Sequence, residues 1–357
     1  MTVVALTSCH QPSEPVVSAT TSPSTGFVSL GLSGYSVYSV RESKNYLYAC
    51  TGKDGLLRIK KSTIGKAHWE YLGLKDNHSG TYGVMDVAVF GESDSIIVAG
   101  IMNSDTLHCG IKVSYDQGLS WICSDSNITS NDIVFGDRVR SIGYFARDYS
   151  TNGVLFSVSD DNSAVFWSHD SGIHWARTNN TSLTFSFMDW VEIEPKRPDH
   201  VWAGGRLQRS TNGGNDWRFL NNYSDIFPDS VMWAISFGNI GEIYICQTSR
   251  IVYSNDDGQA FKLFCLPDSA VRFSSVLVDP ENASRVFVQG HLYSVDAKHN
   301  INFKQTRIYE YFDGHLSKVD TLKDALPLMH LRVIQGTRLI VCTDGNGLFE
   351  LSSSSNY

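Results

Sequence analysis

Two aspartates and three arginines of this sequence stand where they could do chemistry together. Asp86 and Asp189 lie in similar apolar segments, Val84-Met85-Asp86-Val87 and Phe187-Met188-Asp189-Trp190. Arg140 and Arg272 take the preceding position in segments of the same kind, and Trp233, His330 and Arg332 fall close to it in others. Two carboxylates about 5 to 10 Å apart can hydrolyse a glycosidic bond, one as acid and the other as base or nucleophile. Arginines can hold an acidic group, and tryptophan can stack on a sugar face. The plainer reading of each residue is that polar groups on buried strands bond one another or internal water.

The elements that must position these residues are short strands, and an octet punctuates them. Ser-x-Asp-x-Gly-x-x-Trp occurs intact at Ser114, Asp116, Gly118, Trp121 and at Ser168, Asp170, Gly172, Trp175. It recurs as Ser210, Asn212, Gly214, Trp217 and as Ser254, Asp256, Gly258, Phe261. The Asp or Asn side chain can accept backbone N–H groups in a tight turn, Gly supplies a positive φ, and the aromatic starts the next strand and packs inward. Recurrence at intervals of roughly 40 to 55 residues marks a repeat of propeller-blade length.

These octets resemble Asp-boxes, the repeats of the BNR family of β-propellers, and the resemblance runs from about Gly26 to the C-terminus. It implies an all-β fold in which the octets are structural and lie away from the ligand face. Taken in order, each blade is an inner strand, a second apolar strand and a hairpin of third and fourth strands. The expectation is a seven-bladed β-propeller with four-stranded antiparallel blades. Its last blade is closed by the N-terminal strand, because Phe27-Val28-Ser29-Leu30-Gly31-Leu32 matches Trp69-Glu70-Tyr71-Leu72-Gly73-Leu74. Blade one is expected to end in a worn octet at Ser62 to Trp69, and blade six in a degenerate hairpin through Ser294, Asp296 and Phe303. Six or eight blades are the alternatives.

Composition suits one large β domain: 357 residues, 42% hydrophobic, 18% charged, with 29 Gly. A formal net charge of -8 argues against nucleic-acid partners. No apolar run is long enough for a spanning helix. Residues 1–25 read as a separate segment, with the propeller from 26 to 357. Leu6-Thr7-Ser8-Cys9 resembles a bacterial lipobox, which implies lipidation at Cys9, followed by a Ser/Thr/Pro-rich tether and an extracytoplasmic location in the periplasm or at the cell surface. A plain polar N-terminus is the alternative. Cys109 and Cys123 flank one octet and could form a cross-strand disulfide; Cys50, Cys246 and Cys342 read as small buried hydrophobes. The cysteine spacing offers no metal site, and no cofactor is expected.

Two functions from different classes follow. The first is a non-catalytic binding or scaffold propeller for a protein or carbohydrate partner, monomeric, with Arg140, Arg272, Trp233, His330 and Arg332 as ligand-binding candidates. The same superfamily includes assembly factors and receptor ectodomains. The second is a glycoside hydrolase resembling sialidases, with Asp86 and Asp189 as catalytic candidates. That family's pattern places an Arg-Ile-Pro motif on the first inner strand, whereas Tyr35-Ser36-Val37-Tyr38-Ser39-Val40 has neither Arg nor Pro. The binding role is the expected one.

Overall fold

A computed structural model describes the chain except for residues 1–25, 67, 76–82, 92, 103–108, 125–141, 148–153, 160–164, 179–189, 205–206, 221–231, 265–270, 296–300, 324–325, 335–337 and 353–357. The strands form antiparallel sheets of four. Blade 1 shows the pattern: inner strand Ser39–Glu42, then Tyr46–Cys50, Leu56–Lys60 and the short outer strand Glu70–Tyr71. The inner strands of the next five blades are Gly83–Phe90, Ile142–Arg147, Val191–Ile193, Met232–Phe237 and Val271–Val278.

Counted as uninterrupted units of four consecutive strands, the ring therefore has six blades. A further four-stranded sheet is composite: Leu326–Ile334, Arg338–Asp344 and Leu348–Ser352 gain their fourth strand from Gly26–Gly31 at the other end of the chain. The count of seven expected from sequence is corrected to six for contiguous blades, since the last three strands carry no fourth of their own. Phe27 lies opposite Leu351 and Ser29 opposite Phe349. Leu30 and Leu32 join Leu348, Cys342 and Ile340 in one core with Val40 and Leu47 of blade 1, so the joining strand is anchored through Leu30 between two sheets as well as paired.

Blade 6 departs from the expected repeat. Val286–Val295 and Ile301–Phe312 pair with each other, so the link expected to be a worn octet joins the second and third strands. The third and fourth strands turn instead at Asp313-Gly314, both at positive φ (49° and 79°), before His315–Lys323. Asp-Gly with two left-handed residues is the backbone a two-residue hairpin needs.

The four octets share one bonding scheme. The Ser hydroxyl donates to the Asp or Asn Oδ1 at 2.7, 2.8, 3.0 and 2.8 Å. It accepts the Gly N–H at 2.7, 2.8, 2.8 and 2.9 Å. The same Oδ1 accepts the N–H four residues on, from Ser120, His174, Asp216 and Ala260. These bonds close the tip locally, which is why the motif is short and repeats. At Gly172 (φ 82°) a Cβ would stand 3.0 Å from Val98 of the preceding blade, so the position needs glycine for space as well as for backbone.

The hairpins also tie blades together. Arg58, on the third strand of blade 1, donates to the Gln117 carbonyl in the hairpin of blade 2; Arg209, at the same place in blade 4, donates to the Asp257 carbonyl of blade 5. Trp69 and Trp121 reach back to the carbonyls of Leu30 and Leu72 on the preceding outer strands. Trp175 and Trp217 bond the carbonyls of their own Gly172 and Gly214. Replacing Ser168 by alanine removes the three bonds of a fully buried hydroxyl, one donated to Asp170 and two accepted from the Asp170 and Gly172 N–H groups, and is expected to lower stability by about 1–2 kcal/mol in urea unfolding, with an unchanged m-value.

Candidate functional site at the channel mouth

The inner strands lie side by side around a central channel, with Leu326–Ile334 meeting Ser39–Glu42 to close the circle. Between blades 4 and 5 the junction is made by Trp190, whose indole donates to the Met232 carbonyl at 2.8 Å, within a core that includes Trp202 and Ile235. Where the inner strands of blades 4, 5 and 6 end, a cavity of about 330 Å³ opens. Arg41 of blade 1 contributes the facing wall. Ile235, Phe237 and Leu277 supply apolar lining, with Glu192 half-buried and Lys196 exposed at its edge. This mouth lies at the hairpin end of the ring, not at the end that the Asp-box resemblance assigns to ligands, because the turn after the blade 4 inner strand bonds its own hairpin (Gly213 N–H to Asp199 O), as does that of blade 5 (Asp257 N–H to Gly241 O).

Asp86, Glu194 and Asp257 are committed to ion pairs at or next to this mouth. Asp86 is completely buried and receives both forks of Arg41, through Nε at 2.7 Å and Nη2, together with Ser39 Oγ and the Val87 N–H, both at 2.9 Å. Glu194 takes Arg197 through two bonds of 2.7 Å, and Arg197 reaches on to Asp257 at 2.5 Å. Arg209 adds a second cation on Asp257 at 2.9 Å. Burial opposes the charge on Asp257, but the hydrogen bond from Arg197 and the field of Arg209 outweigh it and hold the carboxyl below its ordinary range. Burial, helped by Arg197, pushes the His200 imidazole down toward its neutral form.

Glu194, His200 and Asp257 present ligand atoms within 4.8 Å of one another, a spacing that could admit a cation among the described residues. Arg197 bonds both carboxylates there, so the negative charge that a metal would use is already neutralised. The cluster reads as an ion-paired brace between blades 4 and 5.

The residues singled out from sequence separate. Asp86 is sealed, and Asp189 and Arg140 lie outside the described residues. Trp233 and Arg272 sit near the starts of their inner strands, the opposite end from the cavity, where the Trp233 indole donates to Thr248 Oγ1 at 3.0 Å and Arg272 pairs across from His291. Burial pushes the His291 imidazole down to about 3. His330 and Arg332 belong to Leu326–Ile334, on the composite sheet. Arg41 is not legible as a site residue from sequence, because it follows the apolar segment Val37-Tyr38-Ser39-Val40 instead of lying within it. Cys109 and Cys123 form a disulfide with Cα atoms 5.7 Å apart, and Cys50, Cys246 and Cys342 are buried thiols. Cys9 and Cys265 lie outside the described residues.

Four-stranded sheets radiating from a shared channel define the molecule as a β-propeller. No family model matches the sequence, and no curated protein does. Among solved structures it is similar to YCF48 bound to D1 peptide, at 13% identity and a TM-score of 0.66, covering 94% of this chain and 97% of that one. It is also similar to the GH74 xyloglucanase from Xanthomonas campestris, at 14% identity and a TM-score of 0.64 over 92% of this chain. The chain spans about half of that enzyme, 53% of its length. A third likeness, at 9% identity and a TM-score of 0.60, is to the extracellular domain of the putative hybrid two component system BT4673 from B. thetaiotaomicron; it covers 93% of this chain and 40% of that one. Identities this low establish the fold.

Proposed function

We propose that this propeller is a non-catalytic binding or scaffold protein that works outside the cytoplasm and holds a protein or carbohydrate partner. The observation that carries the reading is the state of Asp86: a carboxylate with no exposure, clamped by Arg41 and Ser39, has no access to a glycosidic oxygen. The Cys109–Cys123 disulfide favours an oxidising compartment. Among the described residues no helix is long and apolar enough to cross a membrane, and a lipid on Cys9 would provide attachment. The shared hairpin bonding favours the Asp-box reading of the octets. Of the structural neighbours, one was solved with a peptide bound and another is an extracellular domain, so the fold is compatible with such a role.

The test is a glycan-hydrolysis screen, xyloglucan and sialosides included, on the wild type, Asp86→Asn and Asp189→Asn. The expected result is no turnover by any of the three. Turnover by the wild type that disappears in Asp189→Asn would replace this reading with the hydrolase.

A further inference from the structure

The geometry points to the channel mouth between blades 4, 5 and 6 as a peptide site: one large apolar side chain of an extended polypeptide enters the cavity, and its flanking main chain lies across the Glu192 and Lys196 rim. The inference rests on the binding reading above and chooses between its two partner classes. A volume of about 330 Å³ is at the small end of ligand pockets, enough for a side chain and its own backbone. The lining decides the chemistry. Ile235, Phe237 and Leu277 give an apolar wall, with Pro195 and Pro280 where the strands leave it.

A sugar brings hydroxyls that must exchange water for protein partners, and the charged groups of the inner wall are already taken. Glu194 is held by Arg197, and Arg41 by the buried Asp86. Asp279 accepts the Glu281 N–H and stands 3.6 Å from Arg285, while Ser236 Oγ accepts the Val278 N–H. Burying hydroxyls against such a wall costs more than it returns. An apolar side chain loses nothing there. Lys196, exposed at the rim, makes a long 3.4 Å bond to Asn239 and can turn to donate to a peptide carbonyl.

The test uses the full chain and N-acetyl-phenylalanine amide as the probe, titrated by protein-observed NMR against cellotetraose as the sugar control. Two variants narrow the mouth from opposite walls, Ala283→Trp and Lys196→Trp, each checked for an unchanged melting profile. The expected result is saturable shifts with the amide at low-millimolar concentration, none with the sugar, and binding weakened tenfold or more in either variant. If Ala283→Trp does not fold, Lys196→Trp carries the comparison. Preference for the tetraose, absence of amide binding, or amide binding that both folded variants retain overturns the proposal. Loss of this site with a silent hydrolysis screen leaves the binding function standing; glycan turnover removes that function itself.

Discussion

Asp86→Ala should lower stability by about 3–5 kcal/mol, the cost of leaving a largely buried guanidinium without its counter-charge. Arg41 is 18% exposed and its partner 1%, so water can restore little of what the carboxylate supplied. Ser39 and the Val87 N–H lose their acceptor in the same step. Equilibrium urea unfolding measures the loss. The paired change Asp86→Leu with Arg41→Met should recover most of it, because removing both charges removes the desolvation penalty along with the attraction. A single-variant loss below about 1 kcal/mol would mean that Asp86 is not the anchor described above and would reopen it as a reactive group.

Leu30→Ala should cost about 2–5 kcal/mol and Leu30→Asp more, since the second places an unpaired carboxylate in the core shared by the composite sheet and blade 1. Leu30 is 5% exposed, whereas its neighbour Val28 is 50% exposed. Val28→Ala should change stability by no more than about 0.5 kcal/mol. Loss of the joining strand would also free the edge of Leu348–Ser352, an invitation to intermolecular pairing. Light scattering during unfolding should therefore rise for Leu30→Asp and not for Val28→Ala. Equal behaviour of the two variants would show that closure does not depend on this strand.

The parts of the fold that were legible in the sequence are those whose constraints are local. A Ser hydroxyl, an Asp carboxyl and a Gly within five residues make their bonds to one another, so the octet announces its own hairpin. Phe27 to Leu32 could be matched to Trp69 to Leu74 because both end in Leu-Gly-Leu with Gly and the final Leu at positive φ. Blade 6 departs from the expected repeat because its second and third strands are unusually long, 10 and 12 residues, so the segment matching an octet falls between them, while the informative pair, Asp313-Gly314, is only two residues. The site was the least legible part. Its lining comes from the ends of inner strands in four blades, and Asp86 finds its cation 45 residues away; no pattern along the chain encodes that meeting.

The register of the joining strand sets how the ring would answer to force. Gly26 lies opposite Ser352 and Gly31 opposite Leu348, so both flanks of the chain leave the sheet at the same rung. Tension applied between them, as when one flank is anchored and the other dragged, would part the rungs one after another like a zipper rather than shear them all at once. The seam that completes the circle is thus its mechanical fuse, giving way at low load before the blades on either side.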